Sequence, residues 1–156
     1  MRLLKKIRDV LVSNLFPIAY KRYHELRYWK KQYYQEKCLY NEHYKKYYTK
    51  YINMEESAYK NKNILDIGCG PRGSLEWATM SNKRIGIDPL AEKYLELGAK
   101  KHSMEYVSCN AEAMPFTNDY FDYIFSYNSL DHVENVEKVL DQIKRVLKSK
   151  GHFFLW

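Results

Sequence analysis

The amino-acid sequence predicts an α/β fold for the larger, C-terminal part of the chain: a doubly wound parallel sheet of about five strands. Short apolar runs alternate with helical patterns after Lys62, which is typical of parallel sheets covered by helices. A glycine-rich stretch, GCGPRG at residues 68–73, directly follows the first run. Polar stretches follow several later runs, and right-handed crossovers bring the carboxyl ends of such strands to one edge of the sheet.

Five apolar runs are the candidate strands. In chain order they are ILDI (64–67), RIGID (84–88), YVSC (106–109), YIFSY (123–127) and HFFLW (152–156). Helices are expected between them, from about residue 74 to 80, from 90 to 97, and along the apolar positions between 136 and 147. We expect the last helix to end at its basic residues and Gly151, because cations and glycine are favoured at helix C-termini.

Residues 1–60 are expected to form a basic, tyrosine-rich helical extension before the domain at residues 61–156. Residues 1–63 hold 15 Lys/Arg against 6 Asp/Glu and 11 of the 16 tyrosines, whereas residues 64–156 hold 11 Lys/Arg against 13 Asp/Glu. Residues 18–52 lack glycine and predict one or two helices. Packing of their tyrosine faces on the domain is favoured over a surface for single-stranded nucleic acid, which would also use aromatic rings and cations.

The first 16 residues predict an amphipathic helix. Its apolar positions are Leu3, Leu4, Ile7, Leu11 and Leu15. We expect such a helix to dock on its own domain or a partner, with contact to a membrane surface as the alternative. Asn14 and Pro17 interrupt the apolar run, which argues against a secretory signal.

The three cysteines, Cys38, Cys69 and Cys109, form no C-x-x-C pair. The sequence therefore predicts neither a zinc site nor a disulfide framework. Unpaired cysteines fit a reducing, cytoplasmic location. No apolar stretch reaches the length that is needed to span a bilayer.

The glycine-rich stretch fits the spacing G-x-G-x-x-G, with Gly68, Gly70 and Gly73 allowing a tight turn and a close approach of the backbone to a ligand. Asp66 stands two residues before the first glycine. A carboxylate beside a pyrophosphate costs Coulomb energy, whereas it favours a ligand with an ammonium group. S-adenosylmethionine (SAM) carries an ammonium and a sulfonium and no phosphate, so Asp66 favours SAM over a dinucleotide. The alternative is that Asp66 only caps the loop.

Asp88 ends the second strand, 22 residues after Asp66. A carboxylate at that position accepts hydrogen bonds from ribose hydroxyls in adenosine cofactors. Asp88 also suits the N-terminus of the helix that starts near Leu90, with Pro89 in the first turn. Both roles are compatible.

The stretch CNAEAMPF follows the third strand. Asn110 carries an amide that pairs with an adenine edge, and Ala111 offers a backbone N–H. Met114 and Phe116 either cover the flat base or pack as ordinary core residues.

After the fourth strand, Tyr127, Asn128 and Ser129 are expected to emerge beside the cofactor. Asp131 and His132 follow on the loop. His132 is a candidate general base, because an imidazole titrates near neutral pH. The alternative is a histidine that only packs and makes hydrogen bonds.

Taken in order, ILDIGCGP, GIDPL, NAEAMPF and the stretch from FDYIFSYNSLDHV to GHFFL resemble the class I SAM-dependent methyltransferases, especially the branch called methyltransferase type 11. The resemblance covers about residues 62–156. It implies a Rossmann-like fold and methyl transfer from SAM, with Asp66, Gly68 and Gly70 at the methionine moiety, Asp88 at the ribose, and Asn110 and Ala111 at the adenine. The expected cofactor site comprises Asp66, Gly68, Cys69, Gly70, Asp88, Pro89, Asn110, Ala111, Glu112, Tyr127 and Asn128.

The sequence departs from the family pattern in two places. SYNS stands where base-methylating enzymes carry a proline-containing signature, which argues against nucleic acid as the acceptor. The sequence also stops on the fifth strand, where the family sheet continues, so we expect a partner chain, self-association or the N-terminal helices to cover that edge. The stretch HELRYWKK resembles N-terminal helices that form a lid in some members.

The function predicted from these patterns is methyl transfer from SAM to a small-molecule or lipid-like acceptor. One alternative is a truncated or inactive methyltransferase-like domain that only binds SAM or a partner. A second alternative is an NAD(P)-dependent oxidoreductase, which Asp66 and the CNAEAMPF stretch disfavour.

Overall fold

A computed structural model describes residues 15–39 and 44–156 of the chain. The chain divides into two compact units, Met1–Cys38 and Leu39–Trp156. The amphipathic helix expected over the first 16 residues lies almost wholly outside the described part. No helix among the described residues is both long and apolar enough to cross a membrane.

The described part of the first unit is one helix, α1, Pro17–Glu36. Pro17 occupies the first turn, where its missing N–H costs no hydrogen bond. The helix ends at Lys37, which adopts a left-handed conformation (φ 59°) and donates its N–H to Tyr33 O. No residue of α1 is buried within the described structure.

The second unit begins with a short helix, α2, Lys45–Tyr48, and a 3-10 turn, Lys50–Ile52. Together with α1, these elements confirm the helices predicted within residues 18–52. Tyr48 is the buried residue of α2. Its hydroxyl reaches the carboxyl end of the first strand, and α2 is thereby tied to the sheet.

Five parallel strands form one sheet in the order β3-β2-β1-β4-β5. The strands are β1 Asn63–Ile67, β2 Lys83–Ile87, β3 Glu105–Val107, β4 Phe121–Ser126 and β5 Leu147–Leu155. This confirms the predicted Rossmann-like parallel sheet. The strand order reverses at β1, so the carboxyl ends of β1 and β4 flank the point at which ligands bind in such sheets.

The helix predicted near residues 74–80 does not form, and this expectation was wrong. The segment makes successive turns in which Glu76 N bonds Gly73 O and Ala78 N bonds Leu75 O. Only 15 residues separate β1 from β2, since β1 ends at Ile67 and β2 begins at Lys83. The glycine loop takes six of these residues, and Ser74 is held by Asp66. The turns at Glu76 and Ala78 and the bond from Ser74 to Asp66 take the place of a regular helix.

The two other predicted helices form as α3, Ala91–Leu97, and α4, Val136–Val146. However, α4 does not continue toward Gly151, as the sequence suggested. Leu147 is already extended and pairs with Phe121 of β4. The carbonyl of Val146 accepts the N–H of Tyr120, so tertiary hydrogen bonding ends the helix before the glycine.

Alternation along the strands divides the core into two clusters. Leu65, Ile124 and the buried face of α4, including Val139 and Ile143, share one cluster. The other cluster joins Ile64 and Phe125 with Tyr48, Tyr59 and Leu75. Since successive side chains of a strand point to opposite faces, the two clusters cover the two faces of the sheet.

Candidate functional site

The glycine loop is fastened to the end of β2 by three backbone donors. Gly68 N and Cys69 N lie 2.8 and 3.3 Å from Ile87 O, and Gly70 N lies 3.3 Å from Asp88 Oδ2. Gly68 and Gly70 have φ of 72° and 57°, the left-handed region that favours glycine. The loop therefore exposes backbone rather than side chains at the carboxyl end of the sheet.

Ser129 explains why the first glycine has no room for a side chain. A Cβ added at Gly68 would lie 2.3 Å from the Ser129 Cβ. The Ser129 hydroxyl donates to Ile67 O at 2.8 Å and lies 2.5 Å from the Ser126 hydroxyl. The loop after β4 is thereby locked against the loop after β1.

Asp66 is a buried carboxylate, 2% exposed, at the base of the glycine loop. The hydroxyls of Tyr48 and Ser74 both donate to Oδ2, at 2.9 and 2.5 Å. Neither of these bonds involves Oδ1, which is left to accept from a ligand. Burial raises the pKa of Asp66 to about 7; the two hydrogen bonds oppose this shift, and the charge of Asp88 adds to it.

The Asp88 carboxylate accepts a backbone hydrogen bond at each of its two oxygens. Its Oδ1 accepts the N–H of Leu90 at 2.8 Å, while Oδ2 accepts the N–H of Gly70. The carboxylate thus joins the start of the α3 segment to the glycine loop.

Cys69 and Pro89 contribute to the shape of the loop. The Cys69 thiol packs against Gly86, where an added Cβ would lie 2.6 Å from Sγ. Burial raises the pKa of this thiol well above its usual range, so it remains protonated. The Pro89 carbonyl lies 3.4 Å from the Ser108 hydroxyl of the loop after β3.

The stretch after β3 is a 3-10 turn, Ala111–Ala113, preceded by Asn110 in an extended conformation. Ala111 is buried. Glu112 Oε1 accepts the N–H groups of Glu134 and Asn135 at 2.8 and 3.2 Å, so this carboxylate holds the loop before α4. The structure gives Glu112 a role that the sequence did not indicate.

Met114 and Phe116 pack in the hydrophobic cluster that contains the buried face of α4. The Phe116 ring contacts the Phe121 ring edge-on, with the centroids 4.9 Å apart. Of the two roles that the sequence left open for these residues, the structure displays the packing role.

Tyr127, which follows β4, packs against Tyr48, the residue that donates to Asp66. Its ring centroid is 4.8 Å from that of Tyr48, and its hydroxyl donates to Tyr47 O at 2.6 Å. Burial, with a smaller contribution from the charge of Asp66, raises the pKa of Tyr127 to about 12. The adjacent Asn128 is exposed and left-handed (φ 49°).

His132 stands on the surface, at the end of a 3-10 turn, Leu130–His132. Its side chain is 62% exposed, and its Nε2 lies 3.4 Å from Asp131 Oδ2. The structure therefore brings His132 onto the loop after β4 without burying it against Asp66 or Asp88.

Three side chains at this edge were not selected from the sequence as site residues. Tyr48 and Ser74 hold Asp66, and the Tyr106 hydroxyl accepts the N–H of Gly73 at 3.0 Å. Tyr48 lies in a run of tyrosines and lysines in which no spacing distinguishes it. Of the three, only Ser74 could have been found from the sequence, because it directly follows the glycine loop.

The residues present suit SAM. A buried carboxylate with an available oxygen fits an ammonium group, and the backbone turns at Gly68 and Gly70 allow a close approach. Asp88 places a carboxylate at the end of β2, where it could accept from ribose hydroxyls. Asn110 and Ala111 begin the turn after β3. The carboxylates of Asp66 and Asp88 lie at the glycine loop, where a dinucleotide would place its negatively charged pyrophosphate.

Residues 65–155 match the family profile described as a methyltransferase domain, of the type 11 kind. The chain belongs to this methyltransferase family. The match covers more than half of the chain; it begins within β1 and includes β2 to β5 in full. The family resemblance inferred from the sequence is thereby confirmed, and SAM is the cofactor of the family.

Named relatives support this family assignment. Over 105 residues the chain is 32% identical to a sterol 4-C-methyltransferase from Caenorhabditis elegans, covering 62% of this chain and 31% of the relative. Over 104 residues it is 31% identical to a demethylmenaquinone methyltransferase from Listeria welshimeri, covering 59% and 43%.

Among solved structures, the chain is similar to a SAM-dependent methyltransferase from Mesorhizobium loti. The TM-score is 0.55 and the identity 26%, with 62% of this chain and 47% of that chain covered. The chain spans less than half the length of each of these three proteins.

Proposed function

We propose that this methyltransferase transfers the methyl group of SAM to a small-molecule or lipid-like acceptor. The observation that carries the proposal is the buried Asp66 beside a left-handed glycine loop. Both hydroxyl donors occupy its Oδ2, and Oδ1 is left for a cationic ligand. An acceptor of the lipid-like class is supported by the relatives, which are named for a sterol and for demethylmenaquinone.

Each group of the site has one task in this proposal. Asp66 Oδ1 accepts hydrogen bonds from the ammonium group of the methionine moiety, while Asp88 accepts them from the ribose hydroxyls. Asn110 and the backbone of Ala111 pair with the adenine edge. The cofactor, when bound, supplies an activated methyl group on a sulfonium. The chain contributes position and orientation, which are the main requirements of an in-line displacement.

His132 is proposed as the base for acceptors that must lose a proton. Its exposed ring and the neighbouring Asp131 leave it free to receive a proton from an acceptor at the loop after β4. His132→Gln should lower kcat for acceptors that must lose a proton and leave SAM affinity unchanged. Equal kcat in both proteins would remove His132 from the mechanism.

The proposal extends to the location of the reaction, the β5 edge and the N-terminal residues. The reaction takes place in the reducing cytoplasm, which is compatible with unpaired Cys38, Cys69 and Cys109. The outer edge of β5 receives a partner chain or a second copy, since β5 pairs only with β4 among the described strands. Residues 1–60 contribute the lid suggested by the family resemblance. Contact of residues 1–16 with a membrane surface is the alternative to their docking on the domain or a partner, and nucleic acid is not the expected partner.

Calorimetric titration of the 156-residue chain with S-adenosylhomocysteine, and separately with NAD, tests the proposal. We expect micromolar affinity for S-adenosylhomocysteine, no measurable heat with NAD, and loss of binding in Asp88→Ala. The matched control is Asp141→Ala, which removes an exposed aspartate of α4. Thermal melts of both variants verify folding, because Asp88 also holds the backbone of Gly70 and Leu90.

Absence of S-adenosylhomocysteine binding by the folded wild-type chain would refute the proposal for this chain. Binding of NAD in preference would instead establish the oxidoreductase alternative. Binding without turnover of any acceptor in a lipid and small-molecule panel would establish the alternative of a binding domain.

A further inference from the structure

Two side chains from the β3 region hold the third glycine of the glycine loop. Gly73 donates its N–H to the hydroxyl of Tyr106, on β3, at 3.0 Å. The same hydroxyl lies 2.7 Å from Nδ1 of His102, which precedes β3. The two rings are nearly parallel, inclined by 27° with their centroids 5.8 Å apart. We call Gly73, Tyr106 and His102 the loop relay.

The protons of the loop relay have a definite arrangement. Burial raises the pKa of Tyr106 above its usual value, so the hydroxyl keeps its proton while its oxygen accepts from Gly73. Burial lowers the pKa of His102, against the opposing charge of Glu76, so the imidazole is neutral at pH 7.5. A neutral imidazole has one acceptor nitrogen and one donor nitrogen. The hydroxyl therefore donates to Nδ1, and Nε2 carries the ring proton.

The loop relay leads to the buried carboxylate of the site. Gly73 is followed directly by Ser74, whose hydroxyl donates to Asp66 Oδ2 at 2.5 Å. Gly73 is left-handed (φ 69°), and a Cβ added to it would lie 2.6 Å from Glu76 Cγ and 3.2 Å from His102 Nδ1. Since the backbone is fixed so closely at Gly73, its position determines where Ser74 presents its hydroxyl to Asp66.

Glu76 joins the same two segments independently of the loop relay. Its N–H donates to Gly73 O at 3.0 Å, and its Oε1 accepts the N–H of Met104 at 2.5 Å. Neither bond uses the hydroxyl of Tyr106 or the ring of His102. Variants of those two side chains should therefore keep the fold and alter only how firmly the glycine loop is held.

We propose that His102 is a positioning residue of the cofactor site and that it acts through the Tyr106 hydroxyl on Gly73. The proposal rests on the proposed function, because Asp66 is assigned there to the ammonium group of SAM. By accepting the hydroxyl proton, Nδ1 turns a lone pair of the Tyr106 oxygen toward Gly73. Without that acceptor the hydroxyl rotates, and the backbone before Ser74 is held less firmly.

The imidazole tautomer of the wild-type chain is the first test. A two-bond ¹H–¹⁵N correlation spectrum at pH 7.5 distinguishes a protonated from an unprotonated ring nitrogen, and the signals missing in His102→Asn assign the ring. We expect Nε2 protonated and Nδ1 unprotonated. A proton on Nδ1 would overturn the inference, because the ring would then compete with Gly73 as a donor to Tyr106. This test needs no folded variant.

Two variants remove the loop relay, and one restores it. Tyr106→Phe removes the hydroxyl, and His102→Leu removes the acceptor. Each should weaken S-adenosylhomocysteine binding in calorimetry and accelerate amide hydrogen exchange at Gly73 by about 2- to 12-fold, the range for one hydrogen bond. His102→Asn places an oxygen acceptor where Nδ1 stands and should recover most of both losses.

Tyr123→Phe is the matched control. Tyr123 is a half-buried tyrosine that packs, as Tyr106 does, against the cluster containing Tyr48 and Phe125. Its hydroxyl donates to Ala58 O at 3.4 Å, away from the glycine loop. This variant also loses one hydroxyl, but it should match the wild type in S-adenosylhomocysteine affinity and in exchange at Gly73. Thermal melts verify that each variant is folded.

Unchanged S-adenosylhomocysteine affinity in folded Tyr106→Phe would overturn the inference. So would a failure of His102→Asn to recover what His102→Leu loses, because the ring would then act by its bulk alone. If the wild-type chain does not bind S-adenosylhomocysteine, but the tautomer and the exchange at Gly73 are as expected, the proposed function fails while the hydrogen bonding of the loop relay stands.

Discussion

Replacing Asp66 with asparagine should remove a large pH dependence from the stability of the protein. Asp66 is buried, and burial raises its pKa to about 7. In the unfolded chain the carboxyl titrates near its usual value of 3.8. An asparagine has almost the same shape and keeps an oxygen acceptor for the hydroxyls of Tyr48 and Ser74, but it does not ionise.

The sign follows from proton binding. Between the two pKa values the folded protein keeps the Asp66 proton and the unfolded chain has lost it, so the free energy of unfolding falls as pH rises. A difference of about 3 pKa units corresponds to about 4 kcal/mol when ionisation is complete, at 1.36 kcal/mol per unit. Between pH 5 and pH 8 the expected part of this loss is roughly 3 kcal/mol.

The assay is urea unfolding at pH 5, 6, 7 and 8 for the wild type and Asp66→Asn. The difference between their free energies of unfolding isolates Asp66, because the remaining titrating groups are shared. This difference should shift in favour of the variant by roughly 3 kcal/mol from pH 5 to pH 8, a change in midpoint of about 1–2 M urea. The control Asp141→Asn, at an exposed position, should follow the wild type at every pH.

A difference that stays constant within about 1 kcal/mol from pH 5 to pH 8 would refute the reasoning, because it would mean that Asp66 has a pKa close to that of an exposed carboxyl group.

Three further predictions concern the same edge of the sheet and its opposite end. S-adenosylhomocysteine affinity should rise about tenfold from pH 6 to pH 8, as Asp66 with a pKa of about 7 becomes ionised, and calorimetry should find this rise absent in Asp66→Asn. Gly68→Ala should lower the free energy of unfolding in urea by about 2–4 kcal/mol, because of the left-handed φ and the clash with the Ser129 Cβ. If a second substitution, Ser129→Gly, recovers none of this loss, the clash is not its cause. Asp122→Asn should lower the free energy of unfolding by about 1–2 kcal/mol at pH 7, because the carboxylate accepts from Lys148 at 2.7 Å and from Asn63 N at 2.9 Å. These bonds hold the pKa of Asp122 below its usual value. The cost should therefore shrink as pH falls toward 3, and a cost that is independent of pH would contradict the ionic origin.

The sequence predicted the sheet well because parallel strands are apolar on both faces. ILDI and YIFSY became β1 and β4 within a few residues of the expected ends, and the alternation of helical patterns set the parallel topology. The glycine positions and Asp66 were also predictable, since left-handed turns and a carboxylate before them leave a local signature.

Helix boundaries were harder to predict because tertiary hydrogen bonds compete with local preference. The segment after Gly73 has helix-forming residues, yet Ser74 bonds to Asp66 and the following residues form successive turns. Likewise α4 ends at Val146, since pairing with β4 draws Leu147 into the sheet before Gly151 is reached.

The sequence by itself determined which carboxylates, glycines and amides follow each strand, and therefore which family the chain belongs to. Only the tertiary structure decided that Tyr48, 18 residues before Asp66, donates to its carboxylate, and that Tyr51 meets Trp156. Contacts of this kind depend on how separate elements pack, and packing brings together residues that no local pattern links. The buried hydroxyls around Asp66 are therefore a product of the fold, whereas the glycine loop is already present in the sequence.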